Sequence, residues 1–408
     1  MISSLRYKIA KNVLLKLANR LEYGAITLTF VEGDTHHFTG KQEGPSADLT
    51  FHTQDALLQI LKSGKLGFCE AYMAGDVSSQ NLVALIEMAV MNNADVEANL
   101  KMSALNWLMT KWHHMRNRNS KTGSKRNISY HYDLGNDFYA MWLDPSMTYS
   151  SAVFADASMD LSSAQEEKYR RLAEMADIQA GDNVLEIGCG WGGFAEFVAR
   201  NYDVTLTAIT ISQEQYDYAV ARMKKTGLQD KVTIALRDYR DLENDSFDKV
   251  ISIEMFEAVG MAYWPTYFDK ISALLKRGGK AALQVITIDD KEFDSYVATP
   301  DFIQKYIFPG GMLPSIERLH QPIEKAGMKL ISDIGYGLDY ARTLAEWRTR
   351  FLAAWPDIKD MKGFDTRFKN MWELYLAYCE GGFKAGMIDV KQMVITQKWK
   401  MNIKGRNR

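Results

Sequence analysis

Cysteine is scarce: Cys69, Cys189 and Cys379 are the only three in 408 residues, far apart and without a C-x-x-C pair. Their spacing excludes a disulfide framework and a zinc site of paired thiolates, and fits a reducing, cytoplasmic compartment. An excess of one charge is lacking too. A net charge of -2 excludes nucleic acid as a main partner, so that any basic surface must be local. No apolar run reaches about eighteen residues, the length a membrane-crossing helix needs. The N-terminus carries neither the apolar h-region nor the cleavage site of a signal peptide. The expectation is a chain that does not span a membrane and is long enough for about two domains.

Basic residues are instead concentrated at two places. Residues 1 to 20 hold Arg6, Lys8, Lys11, Lys16 and Arg20 with no acid, while Ile2, Leu5, Ile9, Val13 and Leu17 recur at helical spacing. This predicts a basic amphipathic helix, docked on its own domain or touching a membrane surface. Residues 23 to 55 alternate apolar and polar, which predicts short antiparallel strands, and helical spacing follows in QDALLQILKSG and NLVALIEMAVMNN. Together they make a small α+β domain over residues 1–110. The stretch KWHHMRNRNSKTGSKRN has six Lys or Arg and no acid, and reads as a basic linker over 111–129.

The remaining domain, 130–408, alternates strand-like and helix-like segments. NVLEIG, VTLTAIT, KVTIALR, KVISIE and AALQVIT are rich in Val, Ile and Leu, as strands buried on both faces of a parallel sheet should be. The order predicts a doubly wound α/β domain, with ligands outside the carboxyl ends of the strands. After AALQVIT come about a hundred aromatic-rich residues, expected as a large helical insertion, before a last strand in KQMVITQKWK.

Gly188, Gly190 and Gly193 in VLEIGCGWGGF match G-x-G-x-x-G, the dinucleotide fingerprint. A dinucleotide site also wants an acid about twenty residues on. Here TLTAITIS stands in that place, with no acid before Glu214. The loop is preceded instead by Glu186, and E-x-G-x-G resembles the signature of S-adenosylmethionine-dependent methyltransferases. A cationic ligand has use for that carboxylate, and a pyrophosphate does not. Gly193 is then left to helix packing.

Further segments sharpen the resemblance. HYDLGNDFYAMWLDPSMTYSSAVF (131–154), ITISQEQ (209–215), RDYRDL (237–242), EMFEAVG (254–260), YIFPGGMLPS (306–315) and FLAAWPDI (351–358) closely resemble the cyclopropane-fatty-acid synthase family, which includes the mycolic-acid methyltransferases. AYMAGDV (71–77) is similar to the N-terminal, lipid-carrier-like domain of its longer members. The resemblance implies a Rossmann-like methyltransferase fold. Its cofactor would be S-adenosylmethionine, held at the methionine end by Glu186, Gly188, Gly190 and Trp191. Tyr149 and Ser150 would close over it, Thr210 and Gln215 would take the ribose, and Asp238 and Tyr239 would border the adenine. The reaction implied is attack of an acyl-chain double bond on the cofactor's methyl group, leaving a carbocation between aromatic walls. Candidates for those walls are Tyr306, Phe308, Tyr336, Tyr340, Trp347, Phe351, Trp355, Trp372, Tyr375 and Tyr378. The partner would be the phospholipid bilayer at the inner, cytoplasmic membrane surface, and the assembly a homodimer.

In cyclopropane synthases a bound bicarbonate removes a proton and closes the ring. The matching positions here are Glu257, Tyr340, Ile286, Ser151 in place of Cys, and Gln284 in place of His, with Ala258 after Glu257. Gln cannot carry charge or accept a proton near neutral pH as His does. Two outcomes stay open: ring closure with a retained bicarbonate, or proton loss elsewhere giving a methyl-branched or methylene product. Two rival readings are a lipid- or cofactor-binding protein without catalysis, and a methyltransferase for a small soluble alkene or arene.

Overall fold

The computed structural model describes residues 2–92, 134–244, 246–299 and 301–398. The expected domain boundary at 110 and the linker 111–129 lie outside these residues.

The basic N-terminal pattern forms α1 (Ile2–Ala18). Tyr7, Ala10 and Ala18 are buried, whereas Leu5, Ile9 and Val13, on another face, are exposed. The alternating segment gives β1 (Tyr23–Thr29), β2 (Thr35–Thr39) and β3 (Gln42–Phe51), with the short β4 (Val77–Ser78) completing a sheet of order β2-β1-β3-β4. Here the expectation of a wholly antiparallel arrangement fails. β1 pairs antiparallel with β2 but parallel with β3. The chain leaves β2 and crosses the start of β1, held by Gly40 N–H on Gly24 O and Gln42 N–H on Glu22 O, so β3 runs up the far side. A side chain at Gly24 would place its Cβ 2.4 Å from Pro45 O, so the crossing requires glycine there. Two helices cover this sheet: α2 (Gln54–Ala74), capped by the Thr53 side chain, and α3 (Leu82–Met91), capped by Asn81.

After α4 (Asn136–Ala140) and α5 (Leu161–Ala176), strands and helices alternate as expected. They are β5 (Asn183–Ile187), α6 (Gly193–Asn201), β6 (Thr205–Thr210), α7 (Gln213–Thr226), β7 (Val232–Leu236), β8 (Phe247–Ile253), α8 (Trp264–Leu274) and β9 (Leu275–Ile288). There follow α9 (Asp290–Ala298), α10 (Ile316–Lys325), β10 (Met328–Gly335), α11 (Gly337–Ile358), α12 (Thr366–Lys384) and β11 (Ile388–Gln397). The sheet has seven strands in the order β10-β11-β9-β8-β5-β6-β7. Its strands from β9 to β7 are parallel, while β11 pairs antiparallel with both β9 and β10. The doubly wound α/β sheet is as the sequence predicts, but β10 is an addition: its half-exposed MKLISDIG lies at the sheet edge and lacks the apolar run that marked the others.

The two sheets share one apolar core. It runs from Phe30 and Phe51 under the first sheet, through Leu85 and Ile86 of α3, to Trp142, Trp347 and Trp372. α12 approaches α3 most closely at Gly381, where a Cβ would lie 2.8 Å from Ile86 Cγ2 and 3.1 Å from Glu87 N. A polar contact joins the halves as well: Glu70 of α2 accepts from Lys305 Nζ at 2.7 Å and from Tyr306 Oη at 2.8 Å. Those two residues lie in a π-helical turn, Ile303–Ile307, that borders the cavity described below.

In an open helix Gly→Ala is worth about 1 kcal/mol of added stability. At Gly381 the contact reverses the sign, and Gly381→Ala should cost roughly 1–3 kcal/mol, as overpacking does. Thermal unfolding checks this: the variant should melt lower than the parent.

Candidate active site

β6 lies on one side of β5 and β8 on the other, so the connections leave the sheet in opposite directions at the carboxyl ends of β5 and β8. Doubly wound sheets bind ligands in that crevice. A cavity of about 320 Å³ opens there. The chain enters it through Gly188 (φ 84°) and Gly190 (φ 51°), both in the left-handed region that glycine adopts freely. A Cβ at Gly188 would lie 2.7 Å from Met255 Cγ, and at Gly190 it would meet nothing within 4 Å. At Gly193 it would lie 2.6 Å from Tyr169 Oη, so this third glycine serves helix packing.

The residues expected around a nucleoside ligand gather on this cavity. Tyr149, Ser150, Glu186, Gly188, Gly190, Trp191, Thr210, Gln215, Asp238 and Tyr239 all line it. Trp191 Nε1 donates to Asn136 Oδ1 at 2.6 Å, which fixes the indole beside the glycine loop. Thr210 Oγ1 donates to Gln215 Oε1 at 2.9 Å, orienting the amide at the end of β6. Asp238 grips Arg240 through Nε at 2.8 Å and caps the following turn by accepting from Arg240 N at 3.0 Å. Its carboxylate is thus part of a local ion pair as well as a wall of the site. Tyr149 and Tyr375 share a hydroxyl hydrogen bond of 2.7 Å, linking the loop before α5 to the insertion.

Four of the ten candidate aromatics line the cavity: Phe308, Tyr340, Tyr375 and Tyr378. Trp347, Phe351 and Trp372 are completely buried core.

The expected catalytic group divides differently from the sequence reading. Glu257, Tyr340 and Ile286 line the cavity, but Ser151 and Gln284 do not. Both sit behind its wall, and both serve a residue the sequence reading passed over, Glu254. Glu254 lines the cavity, and its carboxylate accepts three hydrogen bonds. Ser151 N donates to Oε1 at 2.7 Å, Gln284 Nε2 donates to Oε1 at 2.8 Å, and Tyr340 Oη donates to Oε2 at 2.6 Å. The backbone joins in, with Glu254 N–H on Gln284 O at 2.8 Å. Glu254 has φ 48°, rare outside glycine. Behind Gln284, the Gln392 amide donates to its Oε1 at 3.0 Å, which fixes which end of Gln284 faces Glu254. Glu257 accepts from Ile286 N at 2.5 Å through Oε1, while its buried Oε2 has no partner among the described residues.

A second residue escaped the sequence reading. Lys168 of α5 is completely buried and donates from Nζ to Ser150 Oγ at 2.6 Å. Burial pulls its ammonium down to about 7, against the pull of Glu254, Asp144 and Glu186. The carboxyls move the other way. Burial pushes Glu186 up to about 8, opposed by Lys168 and Arg222. Burial, and then the charge of Glu254, push Glu257 up to about 8. Burial also raises Glu254, but Tyr340, Gln284, Lys168 and Ser151 all favour its ionised form. Glu186 and Glu254 thus sense the charge of Lys168 behind the wall, Glu257 senses Glu254, and the three carboxyls on the cavity favour positive charge arriving there.

Comparison with known proteins agrees with this geometry. Residues 119–393 match the family model described as mycolic acid cyclopropane synthetase. The chain is 36% identical over 402 residues, 96% of its length and 91% of the relative's, to the tuberculostearic acid methyltransferase UfaA1 of Mycobacterium tuberculosis. It is 39% identical over 351 residues, 86% of its length and 88% of the relative's, to the cyclopropane-fatty-acyl-phospholipid synthase of Escherichia coli (strain K12). Among solved structures, the cyclopropane synthase MmaA2 of Mycobacterium tuberculosis superposes with a TM-score of 0.62 at 28% identity, covering 66% of this chain and 97% of that one. Mycolic acid cyclopropane synthase CmaA1, in complex with SAH and CTAB, gives the same TM-score over 67% and 98%. By its glycine loop, its seven-stranded sheet and these matches, the chain belongs to the mycolic acid cyclopropane synthetase family of S-adenosylmethionine-dependent methyltransferases.

Proposed function

We propose that this enzyme transfers a methyl group from S-adenosylmethionine to the double bond of unsaturated fatty acyl chains in membrane phospholipids. The transfer passes through a carbocation and gives a cyclopropane or a methyl-branched or methylene chain. The observation that carries the reading is the continuity of the cavity. One end is the glycine loop; the other is a chamber walled by Ile303, Phe308, Leu344, Tyr375, Tyr378 and Phe383, fit for an acyl chain. Relatives named for tuberculostearic acid methylation and for cyclopropane fatty acyl phospholipids support the same acceptor class.

The residues present fit the cofactor. Among the described residues Glu186 Oε2 is buried without a partner; Glu186 lines the cavity and would accept from the ammonium of a methionine moiety. Gly188 and Gly190 let the backbone approach it, Gln215 would take the ribose hydroxyls, and Tyr239 would flank the adenine. When bound, S-adenosylmethionine supplies an electrophilic methyl group. The protein holds the alkene in line with that methyl group, excludes water, and meets the developing positive charge with aromatic faces. An alkene is a weak nucleophile, so this orientation and dryness are the main contribution of the site.

Membrane contact is assigned to α1. Leu5, Ile9 and Val13 are exposed one helical turn apart, flanked by exposed Arg6, Lys8, Lys16 and Arg20. An apolar stripe bordered by cations suits an anionic bilayer surface, here the cytoplasmic face of the inner membrane.

Three outcomes test the reading. Monounsaturated phospholipids exposed to the enzyme and S-adenosylmethionine should gain the mass of a CH2 per modified chain, and high-field proton NMR separates a ring from a branch. No mass gain would refute the assignment. Glu186→Gln should weaken S-adenosylmethionine binding roughly ten- to hundredfold, the worth of a hydrogen bond to a charged group. In the parent protein binding should tighten as pH rises toward about 8, because below that value a cation must displace the proton on Glu186. Titration calorimetry should find that slope flattened in the variant. Replacing Ile9 and Val13 together with Glu should lower affinity for anionic vesicles by about tenfold or more, with S-adenosylmethionine affinity unchanged.

A further inference from the structure

Donor accounting around the cavity leaves one residue whose placement the reaction as described does not use. If a free anion were to serve as the base, it would need the Ser151 N–H, the Gln284 amide, the Tyr340 hydroxyl and the Ile286 N–H. Ser151 has one backbone hydrogen, directed to Glu254. Gln284 Nε2 has two, directed to Glu254 at 2.8 Å and to Ser151 O at 3.1 Å. Tyr340 has one, directed to Glu254 at 2.6 Å, and Ile286 N–H is taken by Glu257. A carboxylate belonging to the chain already fills the ligand set.

We infer that the Glu254 carboxylate is the enzyme's own proton acceptor, standing where the resemblance would put a bicarbonate ion. This rests on the acyl-chain reading above. Several independent features support it. Glu254 lines the cavity, beside Glu257 and Tyr340, while Ser151 and Gln284 stand behind it. Its φ of 48° is a conformation that a non-glycine residue adopts at a cost, and strain of this kind is kept where a side chain must point to one place. Gln392 on Gln284, and the Glu254 N–H on Gln284 O, pin the carboxylate to β9 from two sides. Glu257 is held differently: its Oε1 accepts from Ile286 N, and the donors Ser151, Gln284 and Tyr340 are all directed to Glu254.

The step balances with what the site holds. Once the π pair of the double bond has formed the bond to the methyl group, the acyl chain carries the positive charge. Glu254 then forms an O–H bond with a hydrogen taken either from a carbon adjoining the cationic centre, which gives an alkene, or from the newly added methyl group, which gives the ring. The C–H bond breaks, and its electron pair becomes the new carbon–carbon bond, either a π bond or the closing side of a ring. The chain is left neutral and Glu254 protonated. The proton passes to water when the product leaves, so no oxidant or second co-reactant is required. Ser151, Gln284 and Tyr340 are positioning residues in this scheme.

The test uses the full-length protein, monounsaturated phospholipid vesicles and radiolabelled S-adenosylmethionine, with and without bicarbonate in carbon-dioxide-free buffer. The wild-type rate should be unchanged when bicarbonate is removed. Glu254→Gln keeps the acceptor for Ser151 but cannot take a proton, and should lower turnover by on the order of a hundredfold or more. Its calorimetric affinity for S-adenosylmethionine and its melting temperature should stay near the parent values. Glu254→Ala frees the donors, and should regain activity with added bicarbonate. Wild-type activity that collapses without bicarbonate overturns the inference, and that measurement needs no variant. So does a Glu254→Gln enzyme at the parent rate, or a Glu254→Ala enzyme that binds S-adenosylmethionine normally yet gains nothing from bicarbonate. A wild type that methylates no lipid would instead overturn the acyl-chain reading on which the inference rests.

Discussion

The half-buried carboxylate of Glu254 organises the catalytic half of this molecule. It draws together the loop before α5 through Ser151, strand β9 through Gln284 and helix α11 through Tyr340, segments 103, 30 and 86 residues away along the chain. An ionised carboxylate in such a place is tolerated only if its hydrogen-bonding capacity is met and a countercharge is near. Three donors and buried Lys168 meet both conditions. Removing any one donor leaves a charge in a dry cavity, so the geometry of the three segments is mutually enforced.

Lys168 ties this cluster to the cofactor end. Through Ser150 it holds the loop whose neighbour Tyr149 reaches Tyr375, and its charge is felt by both Glu186 and Glu254. The cavity is therefore mixed in character: Glu186, Glu254 and Glu257 line it near the glycine loop and the end of β8, while Ile303, Phe308, Leu344 and Phe383 add apolar and aromatic wall, with Asp301 accepting from the Tyr378 hydroxyl. The arrangement favours positive charge, and the hydrogen bonds from Ser151, Gln284 and Tyr340 hold the Glu254 carboxylate in one place.

Much of this was legible in the sequence. The glycine loop and the parallel strands of the second sheet follow from local pattern, because each is set by its own strand, turn or helix start; the residues proposed about the cofactor follow from the family resemblance of short segments. Glu254 was not, though it lies three residues before Glu257 in EMFEAVG. What marks it is a turn of positive φ after β8 and donors from remote segments, and neither is visible in local spacing. The same holds for Gln284: its replacement of an ionisable residue was noticed, but only the fold shows it behind the wall, serving another residue. The parallel pairing of β1 with β3 was hidden because alternation reports a half-buried strand and not its direction. β10 was hidden because an edge strand with polar exposure lacks the apolar run of its neighbours.

Glu70 in the first domain holds Lys305 and Tyr306, and the turn they belong to contributes Ile303 to the chamber wall. The two domains are therefore not interchangeable modules. A chimera that grafts another family member's N-terminal domain onto this catalytic domain inherits a different buttress for that turn, and with it a chamber of different width. Evolution of chain-length preference can thus proceed through residues that no substrate ever meets.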